Sequence, residues 1–316
     1  MGYRILTDDD VEALLTMREA IEKLEQALLS GSRAGLVAPP RFMVSLEKGD
    51  LVFTAGAEVA NDNVIGFRVY ETFRVPTAKH EQLVVVFDSR TGELRGLILG
   101  RRLGAVRTAA LDGIAIKYMA PRSPDCLGML GSGYQAGFHF ESALCVRTFR
   151  RALVYSTTPD HRAAFAAAMR ERHGLEVEAV DSAAAVVREA DVLLCTTSAV
   201  RPVFDVARLR SGMHITTVGP KLAGAHELPV DAAGRSDRIV TDSIAQVDAF
   251  PRPFFLLGTP HRDRMIELCD VVAGKQPGRA SEDEITLFCS VGLSATEVIV
   301  ADQATRNAAV RQASLD

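Results

Sequence analysis

The chain is predicted to adopt an α/β fold, with a doubly wound parallel sheet that follows a smaller α+β region. Two observations carry this. Between residues 126 and 241, six short apolar runs alternate with helix-compatible segments, the layout of parallel strands joined by helical crossovers. Before residue 121 the texture differs: five strand-like runs follow one another, rich in β-branched or aromatic residues and bounded by Gly, Asp or Asn, which favours an antiparallel or mixed sheet. A length of 316 residues accommodates two domains of ordinary size.

Taken in order, Thr7 followed by Asp8, Asp9 and Asp10 reads as a helix N-cap with an acidic first turn. Residues 17–30 continue as an amphipathic helix with Ile21, Leu24, Ala27 and Leu28 on one face and Gly31 as its stop. Strands are expected at 41–46, 51–57, 64–73, 82–88 and 94–99, and 88–93 reads as a hairpin loop. A long helix over 102–119 ends before Pro121 and Pro124. Strands then fall at 127–130, 152–155, 175–179, 192–196, 214–218 and 238–241, with helices at 134–147, 160–173 and 182–189. Residues 264–272 carry a helical pattern, and a final helix covers about 294–312.

The first strand of the alternating region runs into Gly131-Ser132-Gly133-Tyr134-Gln135-Ala136, and a helix begins at once. A tight glycine turn lets the backbone approach a pyrophosphate, while the helix start offers free N–H groups and a positive dipole end. Ala136 stands where a small residue lets the helix lie close to its strand. At the first strand-to-helix turn of such a sheet, this is a dinucleotide site of the Rossmann type. The second strand ends in Ser156-Thr157-Thr158, with no carboxylate to bind the ribose hydroxyls before Asp160. Hydroxyls there remove the repulsion against a 2′-phosphate, so NADP is favoured and NAD remains possible; Arg151 or Arg162 could supply positive charge. The plainer alternative is that Ser156 only caps the turn and either cofactor is accepted.

Composition excludes other classes. The chain is 47% hydrophobic and 24% charged, as expected of a globular protein with a sizeable core. A formal net charge of −4 gives no reason to expect nucleic acid or an anionic membrane as a partner. The N-terminal residues lack the apolar core of a signal peptide, no apolar run approaches membrane-spanning length, and five scattered cysteines without a C-x-x-C pair read as thiols of a reducing, cytoplasmic compartment. The seven histidines form no metal-ligand spacing, so no metal is expected, and His139 and His214 read as structural.

Three arginines draw attention: Arg41 at the start of a strand, Arg68 in mid-strand between Phe67 and Val69, and Arg107 on the long helix. A charge in an apolar strand must find a counterion or solvent, and guanidinium grips a carboxylate through two parallel hydrogen bonds. Internal salt bridges or surface exposure would account for them equally well on spacing alone.

Arg107-Thr108-Ala109-Ala110 and Lys117-Tyr118-Met119-Ala120, then the glycine turn, then Gly212-Met213-His214-Ile215 with Val218-Gly219 and Glu227-Leu228, and finally 283–288 with Ser290-Val291-Gly292, together resemble the ornithine cyclodeaminase/mu-crystallin family over nearly the whole chain. The resemblance implies that the substrate domain is split, with the Rossmann domain inserted. Residues 1–120 and 285–316 would form a substrate-binding and dimerisation domain, residues 121–284 the dinucleotide-binding domain, and the protein would be a homodimer. It further implies hydride exchange between a nicotinamide and the α-carbon of a small imino or amino acid. Arg41 and Arg107 would bind the substrate carboxylate, and Thr196, Thr197, Ser198, Val218, Gly219 and Ser290 to Gly292 would line the cofactor.

Two departures bear on the chemistry. Where the family often has lysine in the third strand, this chain has Arg68, and where cyclodeaminases carry aspartate two residues after the Val-Gly glycine, it has Lys221. Opposite unit charges ~4 Å apart interact by ~4 kcal/mol at an effective dielectric of ~20, so the second change reverses a large local effect. An ammonium cannot take a proton from a substrate amine as a carboxylate does, which disfavours cyclodeaminase chemistry. Lys221 could instead donate a proton during imine reduction or bind a second acidic group; otherwise it points away and solvates its loop. The expectation is an NAD(P)H-dependent reductase of an α-imino acid, or the matching amino-acid dehydrogenase. In it Arg41 and Arg107 clamp the carboxylate, Arg68 assists, and Lys221 or water supplies the proton. A cyclodeaminase-type lyase that uses NAD internally, or a non-catalytic NADPH-binding protein, are the alternatives.

Overall fold

The computed structural model describes residues 3–31, 35–73, 75 and 80–314. It divides into two compact units: Met1–Ala110 with Gly292–Asp316, and Leu111–Val291.

In the first unit, seven strands among the described residues form one sheet: β1 (Arg4–Leu6), β2 (Leu36–Val37), β3 (Phe42–Leu46), β4 (Gly49–Glu58), β5 (Val64–Glu71), β6 (Gln82–Asp88) and β7 (Leu94–Leu99). Their order is β1-β7-β6-β5-β4-β2, with β3 also on β4; all pairings are antiparallel except β1 with β7. Period-two alternation sorts the faces. Val52, Val64, Val84, Val86 and Ile98 point inward and are buried, as are Leu24 and Leu28 of the helix Met17–Gly31 and Val298, Ile299 and Ala301 of the C-terminal helix Thr296–Ala313. Phe42, Val44, Leu46, Leu51 and Ile65 lie on the opposite face and are exposed.

Thr7 caps its helix as expected, through a reciprocal capping box with Asp10. The helical segment does not run on unbroken: it ends at Leu14, and Thr16 starts the next helix by exchanging hydrogen bonds with Glu19. Strand β1, which precedes Thr7, is too short to show alternation in the sequence.

In the second unit, eight parallel strands form a sheet: β8 (Cys126–Leu130), β9 (Arg151–Tyr155), β10 (Glu176–Ala179), β11 (Val192–Cys195), β12 (His214–Thr217), β15 (Arg238–Thr241), β16 (Met265–Glu267) and β17 (Thr286–Cys289); β13 (Lys221–Leu222) and β14 (Ala225–His226) make a separate small hairpin. The order is β10-β9-β8-β11-β12-β17-β15-β16. Both faces are covered, so the central strands are apolar throughout. Leu130, Leu193 and Cys195 enter one core, and Leu127, Met129, Val192 and Leu194 the other.

Three expectations from the sequence give way to the observed pairing. Residues 264–272 are not one helix: Met265–Glu267 pairs with β15 at the sheet edge, and only Leu268–Val272 is helical. Residues 285–291 do not belong to the outer domain, because β17 is buried at every residue and hydrogen-bonded between β12 and β15. The boundary expected at residue 120 falls at Ala110, inside the helix Arg102–Met119. No helix among the described residues is long and apolar enough to cross a membrane.

Candidate active site

In the first unit, the arginines singled out from sequence have different fates. Arg68 points to the inner face of β5 and is buried. Its Nη1 donates to Glu297 Oε1 at 2.8 Å, its Nε and Nη2 donate to Gln82 Oε1 at 3.1 and 2.6 Å, and its guanidinium carbon lies 4.0 Å from the Tyr70 ring centroid. Arg107, also buried, gives Nη2 to the same Glu297 oxygen at 2.9 Å. Its Nε and Nη1 are buried with no hydrogen-bond partner among the described residues. Arg41 donates through Nη1 to the Tyr70 hydroxyl at 3.3 Å.

Arg41 and Arg107 meet at Gly292. A Cβ there would lie 2.8 Å from Arg41 Nη2 and 3.4 Å from Arg107 Nη1. Gly292 has φ +89°, so both its backbone and the space beside it call for glycine. Two converging guanidinium groups, one with unsatisfied buried donors, make an anion site suited to a carboxylate. Arg68 is held away from that role by Glu297 and Gln82. Burial acts to raise the Glu297 pKa, but Arg107 and Arg68 overrule it and hold the carboxyl below its ordinary range. Glu297, Gln82 and Tyr70 were not identified from the sequence. The one available signal was an acidic residue at the head of the last helix, shortly after Ser290-Val291-Gly292.

In the second unit, a cleft of about 540 Å³ opens at the ends of β8, β9 and β11. It brings together Gly131, Ser132, Gly133, Tyr134 and Gln135 with Ser156, Thr157, Thr196, Thr197 and Ser198. Gly131 has φ +108°, and a Cβ on it would strike Thr196 O at 2.6 Å. Among the described residues, no atom lies within 4 Å of a Cβ built on Gly133, and no side chain caps the helix that starts there. The Gln135 Oε1 is buried without a hydrogen-bond partner among the described residues. A glycine turn with open space beside Gly133, at the start of a helix that no side chain caps, fits a dinucleotide pyrophosphate. Ala136 is fully buried against the strand, in the helix-packing role expected of it.

Val218, Gly219 and Ser290 do not line this cleft, and Gly292 lies with the arginines of the first unit. A residue to which the sequence assigned no role ties Val218 and Gly219 down. Glu227 is fully buried; its Oε1 accepts from Thr217 Oγ1, Val218 N and Gly219 N, and its Oε2 from Thr197 N and Oγ1. Five donors compensate the desolvated carboxylate and lock the strand ends that frame the cleft. Ser290 N donates to Thr217 O on the neighbouring strand.

Lys221 does not solvate its loop. It is buried, and its ammonium donates to Val218 O and Gly219 O, closing the turn after β12. His139 and His214 are structural. They belong to a buried chain in which Asp112 bonds His139 and accepts from Thr216, while His214 bonds Thr216 and Thr286. Burial, reinforced by Arg279 and Arg147, pushes the His214 pKa down to about 3, so its ring is neutral.

A parallel doubly wound sheet with a glycine-turn cleft, accompanied by a unit bearing a paired-arginine anion site, defines a nicotinamide-dinucleotide oxidoreductase of small carboxylates. Known proteins make the class narrower. The chain is 28% identical to a Delta(1)-pyrroline-2-carboxylate reductase of Bacillus cereus and 28% identical to an iminosuccinate reductase of Paracoccus denitrificans, in each case over 94% of both chains. The solved structure of Thermococcus litoralis Delta(1)-pyrroline-2-carboxylate reductase in complex with NADH and L-proline superposes with a TM-score of 0.91 at 29% identity, over 98% of each chain. With its family model matching residues 2–311, the chain belongs to the ornithine cyclodeaminase/mu-crystallin family.

Proposed function

We propose that this protein reduces the C=N bond of a small α-imino acid with NAD(P)H, and catalyses the reverse oxidation of the matching amino acid. The observation that carries the reading is the convergence of Arg41 and Arg107 at Gly292, with the buried Nε and Nη1 of Arg107 lacking partners. These guanidiniums hold the substrate carboxylate and so fix the position of the adjacent imine carbon. When bound, the reduced nicotinamide supplies the hydride that this carbon accepts. The imine nitrogen takes a proton, for which Lys221 or water is the proposed source. Arg68 acts through Glu297, holding the carboxylate that orients Arg107. The residues at 131–135, 156–157 and 196–198 hold the dinucleotide; NADP is the proposed cofactor, with NAD accepted, because no carboxylate lines the cleft where β9 ends.

A second copy of the chain is the proposed occupant of the outer face of the first sheet, where Phe42, Val44, Leu46, Leu51 and Ile65 form an exposed apolar patch. A cytoplasmic location accords with five cysteines that are all free thiols. The lyase alternative loses support at position 221, where this chain has lysine and cyclodeaminases carry aspartate.

The test is to incubate purified protein with NADPH or NADH and a panel of five- and six-membered cyclic imino acids, iminosuccinate, and 2-oxo acids with ammonia or methylamine. Oxidation of the cofactor by at least one imino acid is expected, together with a dimer mass by light scattering. No cofactor oxidation across the panel would overturn the reductase reading, and ammonia release from ornithine without net cofactor change would replace it with the lyase.

A further inference from the structure

One donor gathered in the first unit is not consumed by the ion pairs around it. Tyr70 stands on β5 two residues after Arg68, so both side chains point to the same face of the sheet. Its half-buried ring lies against the Arg68 guanidinium, whose carbon is 4.0 Å from the ring centroid. Strand β6 places Gln82 directly opposite Tyr70, and Gln82 Oε1 holds Arg68 Nε and Nη2 at 3.1 and 2.6 Å. The helix Arg102–Met119 closes over this pair at Gly104, where a Cβ would come within 2.6 Å of Gln82 Oε1 and 2.8 Å of Arg68 Nη2. The ring is therefore held in place by groups that are themselves fixed.

The Tyr70 hydroxyl accepts from Arg41 Nη1 at 3.3 Å, the one hydrogen bond it makes among the described residues. A guanidinium has donors and no acceptor, so this bond uses a lone pair of the phenol oxygen and leaves the phenol proton uncommitted. The other terminal nitrogen of the same guanidinium, Arg41 Nη2, faces the corner at Gly292 on which Arg107 Nη1 also converges. A carboxylate at that corner presents about four lone-pair sites, more than the two partnerless Arg107 donors, Nε and Nη1, can fill.

We propose that Tyr70 is a substrate-binding residue, whose hydroxyl donates a hydrogen bond to the imino acid carboxylate while accepting one from Arg41. This rests on the reading of Arg41 and Arg107 as the carboxylate site and adds an uncharged third member to it. A hydroxyl donating to an ionised oxygen makes a short, charge-assisted bond. The same hydroxyl holds one arm of Arg41, so the other arm stays turned towards Gly292. The carboxylate keeps its charge throughout hydride transfer to the neighbouring carbon. The Tyr70 bond is then equally strong before and during the reaction, and it acts on KM rather than on kcat.

The experiment compares the natural protein with Tyr70→Phe, Arg41→Met and the double variant, each saturated with NADPH. Tyr70→Phe keeps the ring against Arg68 and removes only the oxygen. Calorimetry measures the affinity for pyrrole-2-carboxylate, a planar carboxylate with no reducible C=N bond, and nicotinamide fluorescence measures the affinity for NADPH. In Tyr70→Phe the carboxylate is expected to bind roughly 10- to 100-fold more weakly, the scale of one hydrogen bond to a charged group. NADPH affinity stays unchanged, and KM for the imino acid rises while kcat is held. The weakening persists in the Arg41→Met background, because a direct contact does not need Arg41. A weakening that vanishes in that background overturns the contact and leaves Tyr70 as a support for Arg41. Unchanged carboxylate affinity in Tyr70→Phe, a fall in kcat at constant KM, or a parallel loss of NADPH affinity also overturns it. Natural protein that binds NADPH but not pyrrole-2-carboxylate would overturn the arginine site itself.

Discussion

Replacing Glu297 by Gln isolates the electrostatic role of one buried carboxylate. Its Oε1 receives Arg68 Nη1 at 2.8 Å and Arg107 Nη2 at 2.9 Å, and the side chain is 1% exposed. The variant keeps the shape and a carbonyl acceptor but leaves two buried guanidiniums with no anion between them. Breaking a buried ion pair by deleting one partner costs about 3–5 kcal/mol, and the retained acceptor places the expectation at the lower end, about 3 kcal/mol. Urea unfolding measures it, followed by circular dichroism because the chain has no tryptophan. The loss is expected to depend on pH. Because Glu297 titrates below the ordinary carboxylate range in the folded protein, its contribution is complete above the unfolded value of ~4.3. It disappears as pH falls through the lower folded value, so the natural protein and the variant converge in acid. With Arg107 less firmly held, KM for the imino acid rises by about tenfold, equivalent to about 1.4 kcal/mol, while the affinity for the dinucleotide is unchanged. A variant within about 0.5 kcal/mol of the natural stability, the range of a neutral surface change, and with an unaltered KM would refute this account of Glu297.

Two further outcomes are expected. Gly292→Ala forces an L residue into φ +89° and puts a methyl 2.8 Å from Arg41 Nη2, so stability falls by more than ~1 kcal/mol and KM for the imino acid rises, read by thermal unfolding and steady-state kinetics. Lys221→Met removes a buried donor from Val218 O and Gly219 O, costing about 1–3 kcal/mol; kcat falls and the pH dependence changes if the ammonium is the proton source, whereas an unchanged kcat and profile would withdraw that role.

Local chemistry explains which parts of this molecule can be read from its sequence. The capping box at Thr7, the helix Arg102–Met119 and the glycine turn at 131–133 depend on residues close together in the chain, so spacing alone reveals them. Strand β17 escapes such a reading because its central place in the parallel sheet comes from pairing with β12 and β15, both earlier in the chain, and nothing local signals those partners. Strand β16 escapes it because three residues cannot display a period.

The sequence by itself pointed to a glycine turn at the first strand-to-helix connection of a parallel sheet and singled out three arginines as candidates. Only the tertiary structure decided how those arginines divide the work. Arg41 and Arg107 converge at Gly292, while Arg68 is bound by Glu297 from the far end of the chain and Gln82 from the neighbouring strand. A guanidinium is the same chemical group in either role. Both Arg68 and Arg107 share Glu297, 229 residues from Arg68; they differ in that Gln82 takes the remaining Arg68 donors, whereas Arg107 Nε and Nη1 have no partner among the described residues.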